Sequence, residues 1–261
     1  MAQILRPLKV KRFGWVPDLP DARDHLYAAP IARIGPLPPR ADLRPGCPAV
    51  YDQEQLGSCT ANAIASAIQF DRTKQGLLPD FLPSRLFIYY NERVIENSVE
   101  IDSGAQIRDG IKAVATLGAC DERLWPYDIA KFAETPNAEA FEAGAKDKAV
   151  SYARVARTLG QMKGCLASGY PFVLGFTVYD SFESEIVAKT GVVDLPTSAE
   201  KSLGGHAVLA VGYDDPSQRF LIRNSWGNSW GRGGYFTMPY AYLMNENLSD
   251  DFWTIRLVAA A

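Results

Sequence analysis

A two-lobed α+β protein, with a helical lobe ahead of an antiparallel β lobe and a cleft between them, is what this sequence predicts. Three observations carry the prediction. Apolar residues recur at helical spacing through the middle of the chain. Runs of β-branched and aromatic residues fill its last third. Helices come first and strands second, the order of segregated α+β folds rather than of alternating βα units. At 261 residues, 47% hydrophobic and 22% charged, the chain is long enough for a substantial core and has ordinary globular composition.

The elements follow in order. Residues 1–35 read as an extended N-terminal arm, because Pro7, Pro17, Pro20 and Pro30 and the Pro36–Pro39 cluster just beyond punctuate a stretch with no lasting period. Ser58 stands at the head of a helix from Cys59 to about Thr73, with Ala61, Ile64, Ala65 and Ile68 on one face and Gly76 just past its end. Ser84 caps a second helix through about Glu96, and a third runs from about Ala105 to Leu117 and stops at Gly118. Residues 137–149 form a weaker helix, and Thr158–Ser168 a short one. Strands are expected at Phe172–Val178, 206–213, 219–226, 234–238 and 252–258, with a loop over Gly191–Gly205. The expected division is an arm (1–35), a mainly helical lobe (36–157) and a mainly β lobe (158–261).

Composition narrows the chemistry. The net charge of −3 supplies no basic field for nucleic acid or an anionic membrane. No apolar run approaches the roughly 18–20 residues of a membrane span. Met1–Trp15 scatters Arg6, Lys9, Lys11 and Arg12 among apolar residues and lacks a secretory signal's apolar core, so a cytoplasmic or non-classically exported protein is expected. Cys47, Cys59, Cys120 and Cys165 are spaced too irregularly for a disulfide scaffold. With His25 and His206 the only histidines, and no C-x-x-C pair, a zinc site is not expected.

Cys59 opens a helix, where the positive end of the peptide dipoles favours a thiolate, the reactive form of cysteine. The opposing reading is a small buried apolar residue. His206 follows Gly204 and Gly205, which leave room for another backbone to approach. Strands 206–213 and 219–226 flank the turn Asp214-Asp215-Pro216-Ser217, and His206 and Asn224 are equidistant from Asp215. A regular hairpin sets them side by side, so that the amide orients the imidazole; a bulge shifts that register. Gln53 and Gln55 both precede Cys59 closely, and either supplies a side-chain N–H for an oxyanion hole.

The segment from Gln53 through Leu56-Gly57-Ser58-Cys59-Thr60-Ala61 resembles the nucleophile motif of papain-like cysteine peptidases. Gly205-His206-Ala207-Val208 with Val211-Gly212-Tyr213 resembles that family's histidine strand, and Asn224-Ser225-Trp226-Gly227 its asparagine motif. The resemblance spans roughly residues 40–240. It implies the two-lobed papain fold and hydrolysis of peptide or protein substrates through a Cys59 acyl-enzyme. It also implies no cofactor, and a monomer without nucleic-acid or membrane partners. It selects Gln53 as the oxyanion donor and gives Trp226 the task of shielding the His206–Asn224 pair. Ser103 and Gly104 match the substrate wall, with Ala105 and Ala207 beside the pocket for the second residue upstream of the cut. Small walls there favour an apolar side chain.

Departures from the family pattern carry expectations too. Leu56 and Ile101 stand where the family usually has a disulfide, so an apolar Leu56–Ile101 contact is expected instead. Thr60 replaces the tryptophan that commonly follows the nucleophile. The arm is far shorter than the usual propeptide, and is expected to cross the cleft and block it. Two rival functions share these residues: an acyl transferase or peptide ligase, and a binding protein that keeps the fold without catalysis.

Overall fold

A computed structural model describes residues 9, 10, 13–28 and 36–260. Arg6, Pro7, Lys11, Arg12 and Pro30 lie outside the described residues. Ten strands and seven α-helices are assigned among the described residues. Arm strands β1 (Trp15–Val16) and β2 (Leu26–Tyr27) precede β3 (Arg40–Asp42), α1 (Cys59–Gln75), α2 (Arg85–Ile95), β4 (Ala105–Gln106) and α3 (Ile107–Thr116). Next come α4 (Ala138–Gly144), β5 (Asp147–Val155), α5 (Leu159–Ala167), β6 (Phe172–Tyr179) and α6 (Glu185–Thr190). The chain ends with β7 (Ser202–Asp214), β8 (Arg219–Arg223), β9 (Tyr235–Pro239), α7 (Tyr240–Met244) and β10 (Ser249–Ala260).

The main sheet has the order β2-β5-β10-β6-β7-β8-β9, with β3 also on β7. All its pairs are antiparallel except β2 with β5. Strand alternation divides the core. Ala207, Leu209 and Val211 of β7 pack with α1, α2 and α3, while Val208 and Ala210 face the opposite cluster with Phe172, Phe176, Phe220 and Trp226. Helix α1 is buried nearly all round, and Ala61, Ala63, Ala65 and Ala67 let it lie close to the sheet. Strands β3 and β5 come from the stretch before residue 158 yet pair into the main sheet.

Several boundaries differ from expectation. The weak helix over 137–149 ends at Gly144, and Asp147–Val155 is a strand paired with β10. The strand expected over 219–226 stops at Arg223, where Asn224 turns its N–H to the Gly234 carbonyl, 2.9 Å away. The loop expected over Gly191–Gly205 gives way to strand at Ser202. Ser58 occupies the N-cap of α1 but its side chain makes no cap bond; the hydroxyl lies 2.6 Å from that of Tyr127. Gly76 closes α1 in the left-handed region at φ 68°, and Ser84 caps α2 by accepting the N–H of Phe87.

Candidate active site

Cys59 heads α1 and His206 lies on β7, both wholly buried. Cys59 and Ala207, next to His206, share one core cluster, and the Ala207 backbone N–H favours the charged form of the thiol, so the nucleophile segment lies against the histidine strand. Nε2–H of His206 donates to Oδ1 of Asn224 at 2.8 Å, and the Ser225 N–H donates to the same oxygen at 2.9 Å. Two donors on one atom identify it as the amide oxygen and place the imidazole proton on Nε2. Nδ1 is left buried without a protein partner.

The hairpin register is not the symmetric one. Leu209 pairs Arg223 and Ala210 pairs Ile222, then a bulge leads to Gly212 opposite Leu221. Continuing that register sets Asn224 across from Val208 rather than His206. Positions 206 and 208 share a face, so the amide still reaches the ring diagonally. Trp226 covers the pair, its ring centroid 5.1 Å from that of His206.

Gln53 is buried beside the nucleophile loop, with Nε2 donating to the Leu56 carbonyl at 2.9 Å and Oε1 accepting from Ser225 Oγ at 2.7 Å. Gln55 instead donates to the Lys9 carbonyl on the arm. Thr60 gives its hydroxyl to buried Glu92, whose carboxyl burial holds well above its ordinary range. Cys47, Cys59, Cys120 and Cys165 are all free thiols.

Leu56 is buried, whereas Ile101, the partner expected for it, is 60% exposed. A polar link joins nucleophile loop and wall. Gly57 N–H donates to Asp102 at 3.1 Å, the Tyr89 hydroxyl donates to the same carboxylate, and Gly104 N–H donates to that hydroxyl at 3.2 Å. Ser103 spends its hydroxyl within the wall, on Ser98 and the Gly104 carbonyl.

The arm occupies the cleft. Val10 and Phe13 belong to the β-lobe core, Trp15 to the core under the helices, and Gly14 makes the crossing. Gly14 O accepts from Ala105 N–H at 2.8 Å, and the Gly14 backbone N–H favours the charged form of the Cys59 thiol. The approach is so close that a Cβ on Gly14 would fall 1.7 Å from Gly57 O. Gly204 and Gly205 provide the expected room: a Cβ there would meet Phe13 Cβ at 2.9 Å or Trp15 O at 2.5 Å. Burial pushes Cys59 up to about 12 and His206 down to about 4, so the covered site holds a neutral thiol and a neutral imidazole.

Beyond the cleft the arm is tied by a reciprocal pair of contacts. Trp15 Nε1–H donates to Asp251 at 3.0 Å, and Trp253 Nε1–H donates to Asp18 at 2.9 Å. Asp18 also accepts the Arg108 backbone N–H at 3.0 Å, and the Arg108 guanidinium clasps Asp24. None of these partners was visible as a site in the sequence, because hundreds of positions separate arm from β10.

Comparison with known proteins agrees with this geometry. The family model described as papain family cysteine protease matches residues 87–249, the segment holding His206 and Asn224. A peptidase C1-like protein, L477, of Acanthamoeba polyphaga mimivirus is 44% identical over 95% of this chain and 88% of its own. The crystal structure of xylellain, a cysteine protease from Xylella fastidiosa, superposes with a TM-score of 0.89 at 45% identity, covering 99% of both chains. Procathepsin B S9 from Trypanosoma congolense shares the fold at TM-score 0.76 and 18% identity, over 95% of this chain and 87% of that one. The chain belongs to the papain family of cysteine proteases.

Proposed function

We propose that Cys59, His206, Asn224 and Gln53 carry peptide-bond hydrolysis in this protease, and that residues 13–16 keep it shut until the arm is displaced. The observation that carries the reading is the crossing of Gly14 between the lobes, with its carbonyl bonded to the Ala105 N–H and its Cα so close to the nucleophile loop that a Cβ would fall 1.7 Å from Gly57 O. With the arm gone, water and substrate reach the pair, and the burial that holds both groups neutral is relieved. His206 Nδ1, the nitrogen that Asn224 leaves free, takes the thiol proton. The thiolate attacks the substrate carbonyl. The oxyanion lies between the Cys59 backbone N–H and the remaining Nε2 proton of Gln53, whose oxygen Ser225 anchors. His206 gives its proton to the leaving amine, then draws one from water to resolve the thioester. Ala105, which now bonds the arm backbone, would with Gly104 beside it hold an extended peptide. Ala207 lines the adjoining pocket and Trp226 keeps water from the His206–Asn224 bond. Ser103 belongs to the same substrate wall, which its hydroxyl braces. The division into arm, helical lobe and β lobe is functional in this scheme, since nucleophile and base ride on opposite walls.

Arm docking carries a pH dependence. Burial, and then the facing Asp18 carboxylate, push Asp251 up to about 7 against the pull of Arg154. Asp18 is likewise raised by burial. Asp24, Asp250, Arg108 and Arg157 complete the charges around them. Without the arm, Asp251 returns toward the ordinary carboxylate value of about 4. Docking therefore takes up a proton; it is tightest below about pH 4 and weakens as pH rises toward 7. The test is kcat/KM for peptide cleavage against pH, for the full-length protein and for Gly14→Ala. Gly14→Ala should show a bell set by the coupled Cys59–His206 pair. Its advantage over the parent should be greatest in acid and shrink toward pH 7. An advantage that grows with pH would overturn the latch. Absence of cleavage by both proteins at every pH would overturn the assignment of the site.

A further inference from the structure

The place that Trp15 fills is a pocket with an unusual end. Its floor is bare backbone: a Cβ on Gly175 of β6 would fall 2.0 Å from Trp15 Cε2, and one on Gly205 of β7 2.6 Å from Cε3. Ala105 pairs with Trp15 along one edge, and Ala207 pairs with Gly175 on the neighbouring strand. At the far end stands Asp251, 1% exposed. Its Oδ2 accepts the Trp15 indole N–H at 3.0 Å and the Asp18 backbone N–H at 2.8 Å, while Oδ1 accepts from Arg154 Nη2 at 2.9 Å. Trp15 and Asp18 both belong to the arm. When the arm leaves, Oδ2 loses both donors and Oδ1 keeps its guanidinium.

The vacated pocket therefore has the shape of a flat ring and one acceptor at its end. A phenyl ring fills the volume but leaves Oδ2 unpaired in a buried site, which carries a desolvation penalty. An arginine or lysine side chain would enter beside Arg154, with Arg108 in the same cluster, and would meet a carboxylate already paired. We propose that Asp251 is a specificity-determining residue, making this pocket select tryptophan in peptide substrates ahead of phenylalanine and ahead of arginine. This deepens the protease reading above and rests on it.

The test uses full-length Gly14→Ala and peptides that differ only in carrying Trp, Phe or Arg at each position upstream of the cut. At one position, kcat/KM for Trp should exceed that for Phe roughly ten-fold, the worth of a hydrogen bond to a charged group, with Arg below Phe. Asp251→Asn should collapse the Trp-to-Phe ratio, because the amide oxygen turns to Arg154 and the NH2 then faces the indole N–H. A second measurement needs no catalysis. In full-length Trp15→Ala, thermal stabilisation by free indole should exceed that by indene, which has the same outline without the N–H. Ready cleavage with Trp and Phe equal, or with Arg preferred, overturns this inference and leaves the protease reading standing. No cleavage of any peptide overturns the protease reading, and indole against indene then decides the pocket alone.

Discussion

Gly14→Ala is expected to raise kcat/KM of the full-length protein roughly a hundred-fold, the gain available if the docked arm outnumbers the open state by about that factor. The substitution adds one carbon at the tightest point of the crossing. That carbon would lie 1.7 Å from the backbone oxygen of Gly57. The Gly57 N–H is itself held by Asp102, which Tyr89 braces, so the loop cannot easily retreat. Residues 13–16 must then lift from the cleft, uncovering Cys59 and vacating the Trp15 pocket. The anchors farther along, Asp24 on Arg108 and β2 on β5, are untouched, so the body keeps its partners. This makes the substitution a cleaner probe than deleting residues 1–35. That deletion would also strip Arg108, Arg154 and Trp253 of their arm contacts. A steady-state assay on one peptide substrate checks the prediction; unchanged turnover from a protein with parental unfolding behaviour would contradict it.

Cys59→Ala, placed on the Gly14→Ala background, is expected to lower kcat/KM by about 10⁴-fold or more, the scale seen when a nucleophile is removed from a triad-type site. The reason is chemical rather than structural. Cys59 is a small, wholly buried residue at the start of an alanine-rich helix, so alanine fits the fold there. Only the sulfur that forms the acyl-enzyme is lost. Asn224→Ala should cost less, because His206 remains and loses only the bond that selects its tautomer. Initial rates for both variants, with unfolding midpoints as a control, separate lost chemistry from lost structure.

Local signals were legible in the sequence and long-range ones were not. Helix α1 was readable because its apolar spacing and Gly76 agree on one element. Strands β6, β7 and β9 were readable from β-branched and aromatic runs. The His206–Asn224 bond was anticipated, yet for a register that does not occur; the hairpin closes at Asp214 opposite Arg219, which centres its turn beyond Asp215, and side-chain reach restored the contact. The sequence reading of the wall centred on Leu56 and Ile101 and did not include its tie through the Tyr89 hydroxyl and the Asp102 carboxylate, whose meeting no local pattern announces. Strand β5 was missed because Asp147, Lys148 and Ala149 continue an alanine-rich, charged texture that reads as helix. The same holds for Asp18 and Asp251, whose roles exist only once the arm lies across the sheet.

The most direct measurement is the rate of iodoacetamide alkylation at mildly acidic pH, with the labelled cysteine identified by peptide mapping. If the arm covers a Cys59–His206 pair, Gly14→Ala takes up one label rapidly at Cys59. The parent protein, whose thiol burial pushes up to about 12, takes it up slowly. Equal rates for the two proteins, or a label that lands on half-buried Cys47 rather than Cys59, would contradict it.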